Sequence, residues 1–503
     1  MAEGRLSGTV SVVRQVEEQS EQQGVRVALF WAVVFACFSY RLSVVWPGGA
    51  PSGYDPGNWL YVGRAMLGSG RDDLQLLYPP IVPTLTAALW AWGGAQGLMV
   101  LGAVASVAPG VAGWCVWRRF RGGTLSAVLL LVFCPFGEAY AWGGWPTLFG
   151  IAALIAALGN LDEWYRTGVR RAVVWYVVSV TVMLGSSHAV LLPFVVGAFV
   201  VTLARFVEGL VRWREIVRIG VVSAVPFGVF APLYIELLGQ VSASVERRQA
   251  VARPSMLEML TNQAALFNSN TRFVWLLLFL LSAVFLTSHV VRYRALWVQS
   301  LAFLAGVALL VATREERFRF IVPVGVVLAF GVWVGGARRN MRPFLVLGVL
   351  FLIGAETRAV AAATVSNTRY YRGMNGEMIE GVKWMEKGLP EGSVLATAAD
   401  TKLSDGPWGW WVRGVSQHRT LVGTAPRWVN FDAERADALV ANHIFSYPFG
   451  STEQAAAARE EGVTHLVLTY RGEDFTSRVS QSLAEGDVVF ENNSMVVLEV
   501  GTR

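Results

Sequence analysis

Charge is scarce in this chain. Asp, Glu, Lys and Arg together make up 16% of its 503 residues, against about 25% in soluble domains. With 54% apolar residues beside it, that scarcity excludes an intrinsically disordered chain and a highly charged coiled coil. Cysteine is equally sparse: Cys37, Cys115 and Cys134 all fall inside apolar runs. They offer neither a disulfide framework nor metal-ligand spacing and read as small buried hydrophobes. No internal repeat is visible. No small-residue cleavage site precedes a soluble region, so a cleaved signal peptide is not expected.

Long apolar runs are what the chain has in excess, together with 20 Trp, 27 Phe and 13 Tyr, a level of aromatics suited to membrane interfaces. Runs long enough, or nearly so, to cross a bilayer fill most of the sequence up to residue 361. Their lengths predict eleven spans, near 27–46, 97–117, 124–141, 145–160, 172–187, 189–208, 219–238, 273–291, 295–312, 320–336 and 343–361. The apolar segment 80–96 reads as a juxtamembrane or re-entrant helix behind Pro79 and Pro80. The expected fold class is a polytopic α-helical membrane bundle (27–361) with a short N-terminal segment (1–26) and a C-terminal α/β domain (362–503).

The net charge of +6 is distributed in clusters. Short connectors carry Arg118, Arg119 and Arg121; Arg166, Arg170 and Arg171; Arg205, Arg212, Arg214 and Arg218; Arg292 and Arg294; and Arg338, Arg339 and Arg342. The alternate connectors, 47–79, 142–144, 186–188, 239–272 and 313–319, are poorer in arginine. The positive-inside rule therefore predicts a plasma-membrane protein with a cytoplasmic N-terminus, the second set of connectors outside, and residues 362–503 extracytoplasmic. Membrane lipids are expected around it. Clusters between apolar runs are topology signals, so nucleic acid is not an expected partner.

The outer set gathers groups that can do chemistry. Loop 47–79 holds Tyr54 and Asp55 in GYDPGNW, followed by an amphipathic stretch from Trp59 to Leu67. Glu138 lies at the next outer turn, before WGGWPTL; His188 ends another helix; TREERFR brings Arg317 and Arg319 together. Asp55 can act as a general base, or hold a divalent cation such as Mg or Mn with Glu138. Arg317 and Arg319 can hold a phosphate bidentately. Plainer roles stand beside these: a solvated turn residue before Pro56, a snorkelling carboxylate at Glu138, ion pairing of the arginines with Glu315 and Glu316, and a helix-end histidine.

In the C-terminal segment, Met374 to Lys387 has helical periodicity. Ser393 to Ala398, Thr464 to Thr469 and Met495 to Val500 read as strands, which predicts an α/β domain. The segment has no phosphate-binding glycine loop. Trp408, Trp410 and Trp411 in PWGWWVRG can stack on a sugar, with Arg413 and His418 as donors, or can pack the domain onto the bundle. The second reading is the stronger.

Taken in order, these features resemble the GT-C superfamily of polytopic glycosyltransferases, which includes oligosaccharyltransferase catalytic subunits, protein O-mannosyltransferases and aminoarabinose transferases. The resemblance rests on Asp55 in a large first outer loop, LYPPIVPTLTAAL from Leu77 to Leu89, Glu138 followed by WGGWPTL, and a soluble outer C-terminal domain. PWGWWVRG resembles the Trp-Trp-Asp-Tyr-Gly motif of oligosaccharyltransferases, with Val412 and Arg413 in place of Asp and Tyr, and the first loop has no Asp-x-Asp. The resemblance implies inverting transfer of a sugar from a polyprenyl-phosphate or polyprenyl-diphosphate donor to a cell-envelope glycan, lipid or protein acceptor. It implies that Asp55 deprotonates or binds the acceptor, that Glu138 assists, with a metal where one is used, and that Arg317 or Arg319 meets the leaving phosphate. Tyr54, His188, Trp410, Trp411 and Arg413 complete the candidate substrate-binding set. The rival classes are a transporter or flippase of lipid-linked glycans, which should show inverted repeats and ionisable groups at mid-membrane, and a non-catalytic envelope-assembly protein.

Overall fold

The computed structural model describes residues 3–74, 76–120, 122–133, 136–248, 298–304, 320–336, 361–362, 364–400, 405–426, 428–429, 431–469 and 486–501; side chains are not described for 3–22, 133–138, 238–248, 322, 332–336 and 486. Within these residues, five helices are long and apolar enough to cross a membrane: Gln23–Gly48, Ile81–Trp117, Trp145–Thr167, His188–Val207 and Trp213–Leu237. The predicted spans 273–291, 295–312 and 343–361 lie wholly or mostly outside the described residues.

The helices of the bundle are α1 (Glu3–Val45), α2 (Asp55–Met66), α3 (Ile81–Trp117), α4 (Gly123–Phe133), α5 (Phe136–Trp142), α6 (Trp145–Thr167), α7 (Arg170–Ser186), α8 (Leu191–Val207), α9 (Trp213–Arg248) and α10 (Val322–Gly336). Burial sorts them into an inner pair and a rim. In α6, 78% of the apolar window is buried and in α3 67%, against 17% in α1 and 11% in α9. Phe35, Phe199, Val207, Val229 and Ile235 stay exposed on α1, α8 and α9, as expected of side chains that face lipid tails.

Two expected boundaries change and one is kept to within a few residues. The segment 80–96 and the span 97–117 join in α3 but are divided by a kink at the non-helical Gly94 (φ 55°, ψ −138°). The predicted span 124–141 is two helices, α4 and α5, of 11 and 7 residues. Helix α9 runs on to Arg248, past the predicted start of a loop at 239.

Among the described residues, the connectors 118–122, 166–171 and 205–212 lie at one end of α6 and 47–56, 142–144 and 186–188 at the other. At one end Arg119 pairs with Glu163, Arg166 with Asp162, and Arg205 with Asp162 at 2.6 Å. Gln299 donates to Asp162 and accepts from Trp117, so α3, α6, α8 and the helical segment 298–304 share one buried polar junction. At the other end, about 25 Å away at 1.5 Å rise per residue, Trp145 begins α6 behind the 142–144 turn. The loop 49–56 packs there: Ser52 donates to the Ala141 carbonyl at 2.6 Å.

The C-terminal domain contains α11 (Gly376–Gly388), β1 (Val394–Thr397), α12 (Gly409–Ser416), β2 (Arg419–Val422), α13 (Asp432–Ile444), α14 (Thr452–Glu460), β3 (His465–Thr469), β4 (Gly486–Glu491) and β5 (Met495–Val500). The sheet order is β2-β1-β3-β5-β4, with β2, β1 and β3 parallel and β5 and β4 antiparallel. Parallel neighbours need crossover helices, which α12 and the α13–α14 pair supply. Alternation along the strands gives the sheet two apolar faces. Ala396, Leu466, Leu468, Val496 and Leu498 form one core with Ala441, Ile444 and Ala458 of α13 and α14. Leu395, Val467, Met495 and Val497 face the other way, into a cluster that runs through Met378, Trp408 and Trp411 to Leu98, Leu148 and Leu154 of the bundle. Bundle and domain share a continuous core.

Candidate active site

The site is built around α2. Asp55 stands in its first turn, half-buried. There the partial positive charge of the helix N-terminus favours a carboxylate, and Pro56 costs nothing because a first-turn amide has no helical partner. The 142–144 turn presses against this start. Gly143 has φ 91°, and a Cβ placed on it would lie 2.3 Å from Pro56 Cδ and 3.2 Å from Asp55 Cβ. Only glycine fits so close an approach. Trp59 Nε1 donates to the Gly143 carbonyl at 3.0 Å and fixes the same contact from one turn further along α2.

Helix α5, which carries Glu138, ends at Trp142, immediately before this turn. Its Tyr140 hydroxyl donates to the Arg41 carbonyl at 2.8 Å, while the Arg41 guanidinium donates to the carbonyls of Ser106 and Leu131. Thus α1, α3 and α4 hold α5 in place. The Glu138 backbone is placed near the start of α2; its side chain, and both Arg317 and Arg319, lie outside the described residues.

Tyr54 is buried, and its hydroxyl donates to Asp400 Oδ2 of the C-terminal domain at 2.5 Å. Its ring meets Trp428 edge-on at 6.4 Å. Asp400 is itself fixed by a two-way backbone bridge with Gly406. The residue just before the candidate base is therefore tied to the soluble domain.

Trp410, Trp411 and Arg413 belong to α12, which lies against α2 with every residue buried. Trp411 Nε1 donates to the Gly53 carbonyl at 2.8 Å. A Cβ on Gly57 would come within 2.6 Å of the Trp411 amide nitrogen, so the two backbones touch. Arg413 Nη2 donates to Asn58 Oδ1 at 2.6 Å and to Glu434 Oε1 at 2.7 Å. Its guanidinium carbon sits 4.7 Å from the Tyr61 ring centroid, a cation–π distance. In the described structure these three residues pack the domain onto the loop 47–79.

His188 takes a different place. It opens the short 3-10 turn between α7 and α8, half-buried, and the adjoining Ser187 packs on Gly150 of α6. Gly150 is five residues along α6 from Trp145, about 8 Å from the helix start. The same end of the bundle receives Ile81 against Gly185 and the Tyr234 hydroxyl on the Leu184 carbonyl. Leu237 of α9 packs with Trp59, Tyr78 and Phe431.

Several residues of this constellation escape a reading of the sequence. Asn58, Tyr61 and Arg64 form one face of α2: Arg64 donates to the Gly414 and Val415 carbonyls and pairs with Glu386 at 3.2 Å. Tyr61 donates to Asp73 at 2.6 Å, and burial together with that carboxylate raises the affinity of its phenol for its proton. On the domain side, Asp437 lies 3.5 Å from Arg419. Burial pushes its carboxyl up to about 6, against the pull of Arg419 and Arg413. The 57–58–61–64 spacing in GNWLYVGR, small and polar along one helical face, is the signal that marks a docking surface here.

Among the described residues no group of three or more His, Cys, Asp or Glu is placed to hold a metal ion.

Comparison with solved structures places this architecture in a class. ArnT of Cupriavidus metallidurans, bound to undecaprenyl phosphate, superposes with a TM-score of 0.59 at 12% identity, covering 95% of this chain and 98% of that one. ArnT in the apo state gives 0.56 at 13% identity. The Archaeoglobus fulgidus oligosaccharyltransferase, tethered to an acceptor peptide containing an NVT sequon, also gives 0.56 at 13% identity, over 88% of this chain and 69% of that chain. The chain therefore shares its fold with ArnT and with the archaeal oligosaccharyltransferase. At these identities the likeness is one of fold. No protein-family model matches the sequence, and no curated protein matches it.

Proposed function

We propose that this protein is an integral-membrane glycosyltransferase. It transfers a sugar from a polyprenyl-phosphate donor to a glycan, lipid or protein acceptor of the cell envelope, at the outer face of the plasma membrane. One observation carries the reading: in a fold shared with a polyprenyl-phosphate-binding protein, Asp55 stands at the start of α2, where the first outer loop, the 142–144 turn and the C-terminal domain converge.

In this reading the acceptor hydroxyl or amide attacks the anomeric carbon. The bond from that carbon to the phosphate oxygen breaks with its electron pair leaving on the phosphate, and the acceptor proton passes to the Asp55 carboxylate. Arg317 and Arg319 stabilise the charge that develops on the leaving phosphate. Where Mg or Mn serves, Asp55 and Glu138 would hold it, and the ion would supply Lewis-acid stabilisation of that charge.

The test is lipid turnover. Purified protein in nanodiscs loaded with polyprenyl-phosphate sugar, supplied with envelope extract as acceptor, is expected to release polyprenyl phosphate detectable by mass spectrometry. The same lipid class is expected to co-purify with the protein. Co-purification without turnover under any acceptor fraction, with or without added Mn, would contradict an enzyme and favour a carrier of the lipid.

A further inference from the structure

We infer that Arg413 is a positioning residue for the reaction: through Asn58 and Tyr61 it fixes the helix that starts at Asp55, so the C-terminal domain sets the geometry of a base that belongs to the membrane bundle. The inference rests on the proposed role of Asp55 and adds to it a coupling between domain and base.

The observations that carry it all concern α2. Successive turns of this helix are gripped by the domain and by α12 in particular. Gly57 meets the backbone of Trp410 and Trp411, Asn58 and Tyr61 meet Arg413, and Arg64 meets the Gly414 and Val415 carbonyls. A Cβ on Gly414 would in turn lie 2.2 Å from the Gly57 carbonyl oxygen. Positions 57, 58, 61 and 64 fall on one side of a helix, so the grip is continuous along its length. Asp55 lies less than one turn from the Gly57–Trp411 contact, so a tilt or slide of α2 on α12 moves its carboxylate directly.

Arg413 is the polar centre of that grip. It is 3% exposed, and its partner Glu434 is equally buried. The same Nη2 atom serves both Asn58 and Glu434, which binds α2 to α13 through a single nitrogen. Arg413 Nε and Glu434 Oε2 are buried without hydrogen-bond partners, so this is not the two-bond fork that usually makes buried Arg–carboxylate pairs favourable. A buried pair with unpaired atoms contributes little net stability. What the arrangement does provide is a defined distance and rotation between two elements.

The test uses the full-length protein in nanodiscs and two readouts: steady-state transfer, and hydrogen–deuterium exchange across 55–66. Arg413→Gln removes the link but leaves Glu434 buried without its cation, and can fail to fold. Arg413→Met with Glu434→Leu removes both charges and keeps the volume, a replacement that buried ion pairs often tolerate. The double variant is expected to melt near the parent. Its α2 amides should exchange faster, and its kcat should fall about 10- to 100-fold, the scale of loss that a misplacement near 1 Å produces. Donor KM should stay within about twofold, because the reaction geometry is lost while ground-state binding is kept. Arg413→Lys, which can still reach one partner, should recover part of kcat. Unchanged α2 exchange and unchanged kcat in the double variant would overturn the inference. An unchanged kcat in Asp55→Asn would overturn the reading of Asp55 instead, with the exchange data still deciding whether Arg413 holds α2.

Discussion

Asp437 shows what the junction between loop and domain does to a single side chain. Its carboxyl titrates near 6 in the folded protein, against 3.8 ordinarily, chiefly because it is buried and secondarily because Asp73 and Glu434 are near. Between pH 4 and pH 6 the folded state therefore holds a proton that the unfolded chain releases. The sign follows: the contribution of Asp437 to stability is most favourable below its unfolded value and declines as pH rises through that window. Thermal unfolding of the full-length protein in detergent should show this decline, and Asp437→Asn should flatten it. A slope equally steep in the variant would show that another group sets it. Asp55 itself was legible in the sequence, because an acid before proline in a polar loop between apolar runs stands out. Its neighbours were not, since Arg413 and Asp400 meet α2 from about 350 positions away and no local pattern encodes such a pairing.

At the scale of elements, glycine decides how closely helices approach. Gly57 of α2 has the Trp411 backbone within 2.6 Å of where a Cβ would be, whereas Gly228 of α9 has nothing within 4 Å. Gly57→Ala is therefore expected to push α2 off α12 and to destabilise the protein by about 1–3 kcal/mol, the usual cost of overpacking. Gly228→Ala should be neutral or stabilising by up to about 1 kcal/mol, because alanine is the better helix former. Melting temperatures of the two variants in the same detergent check the contrast, and equal shifts would contradict the packing described here. The elements that sequence reading found are those with a strong period. Met374 to Lys387 corresponds to α11, capped by Asn375, and Met495 to Val500 is β5. Strand β2 escaped because four residues, RTLV, are too short to show alternation; β4, at the opposite edge of the same sheet, carries an irregular register at Val488 and Phe490. The split of 124–141 escaped because α4 and α5 are both apolar, so hydropathy runs through the break.

For the whole molecule, the described arginine-rich connectors and the described arginine-poor ones lie at opposite ends of α6, and the C-terminal domain sits with the second group. The charge scarcity of the sequence has a structural counterpart in this division. At the arginine-rich end, buried charge forms the Asp162–Arg205 junction that ties helices together. At the other, carboxylates, an aromatic belt and the docked domain surround the start of α2. Trp410 and Trp411, read from sequence either as a sugar platform or as packing, are buried against the loop 47–79. That placement makes the domain part of the site's scaffold. The continuous core explains why: one face of the sheet is covered by α13 and α14, and the other continues into the bundle through α11 and α12.

The central claim is that Asp55 performs the chemistry of a lipid-linked sugar transferase. Its most direct test is the transfer rate of Asp55→Asn at saturating polyprenyl-phosphate sugar, measured with donor binding on the same sample. Loss of general-base catalysis predicts a fall in kcat of about 10²- to 10⁴-fold, with donor affinity and folding retained. An Asp55→Asn protein that transfers sugar at the parental rate would contradict the account.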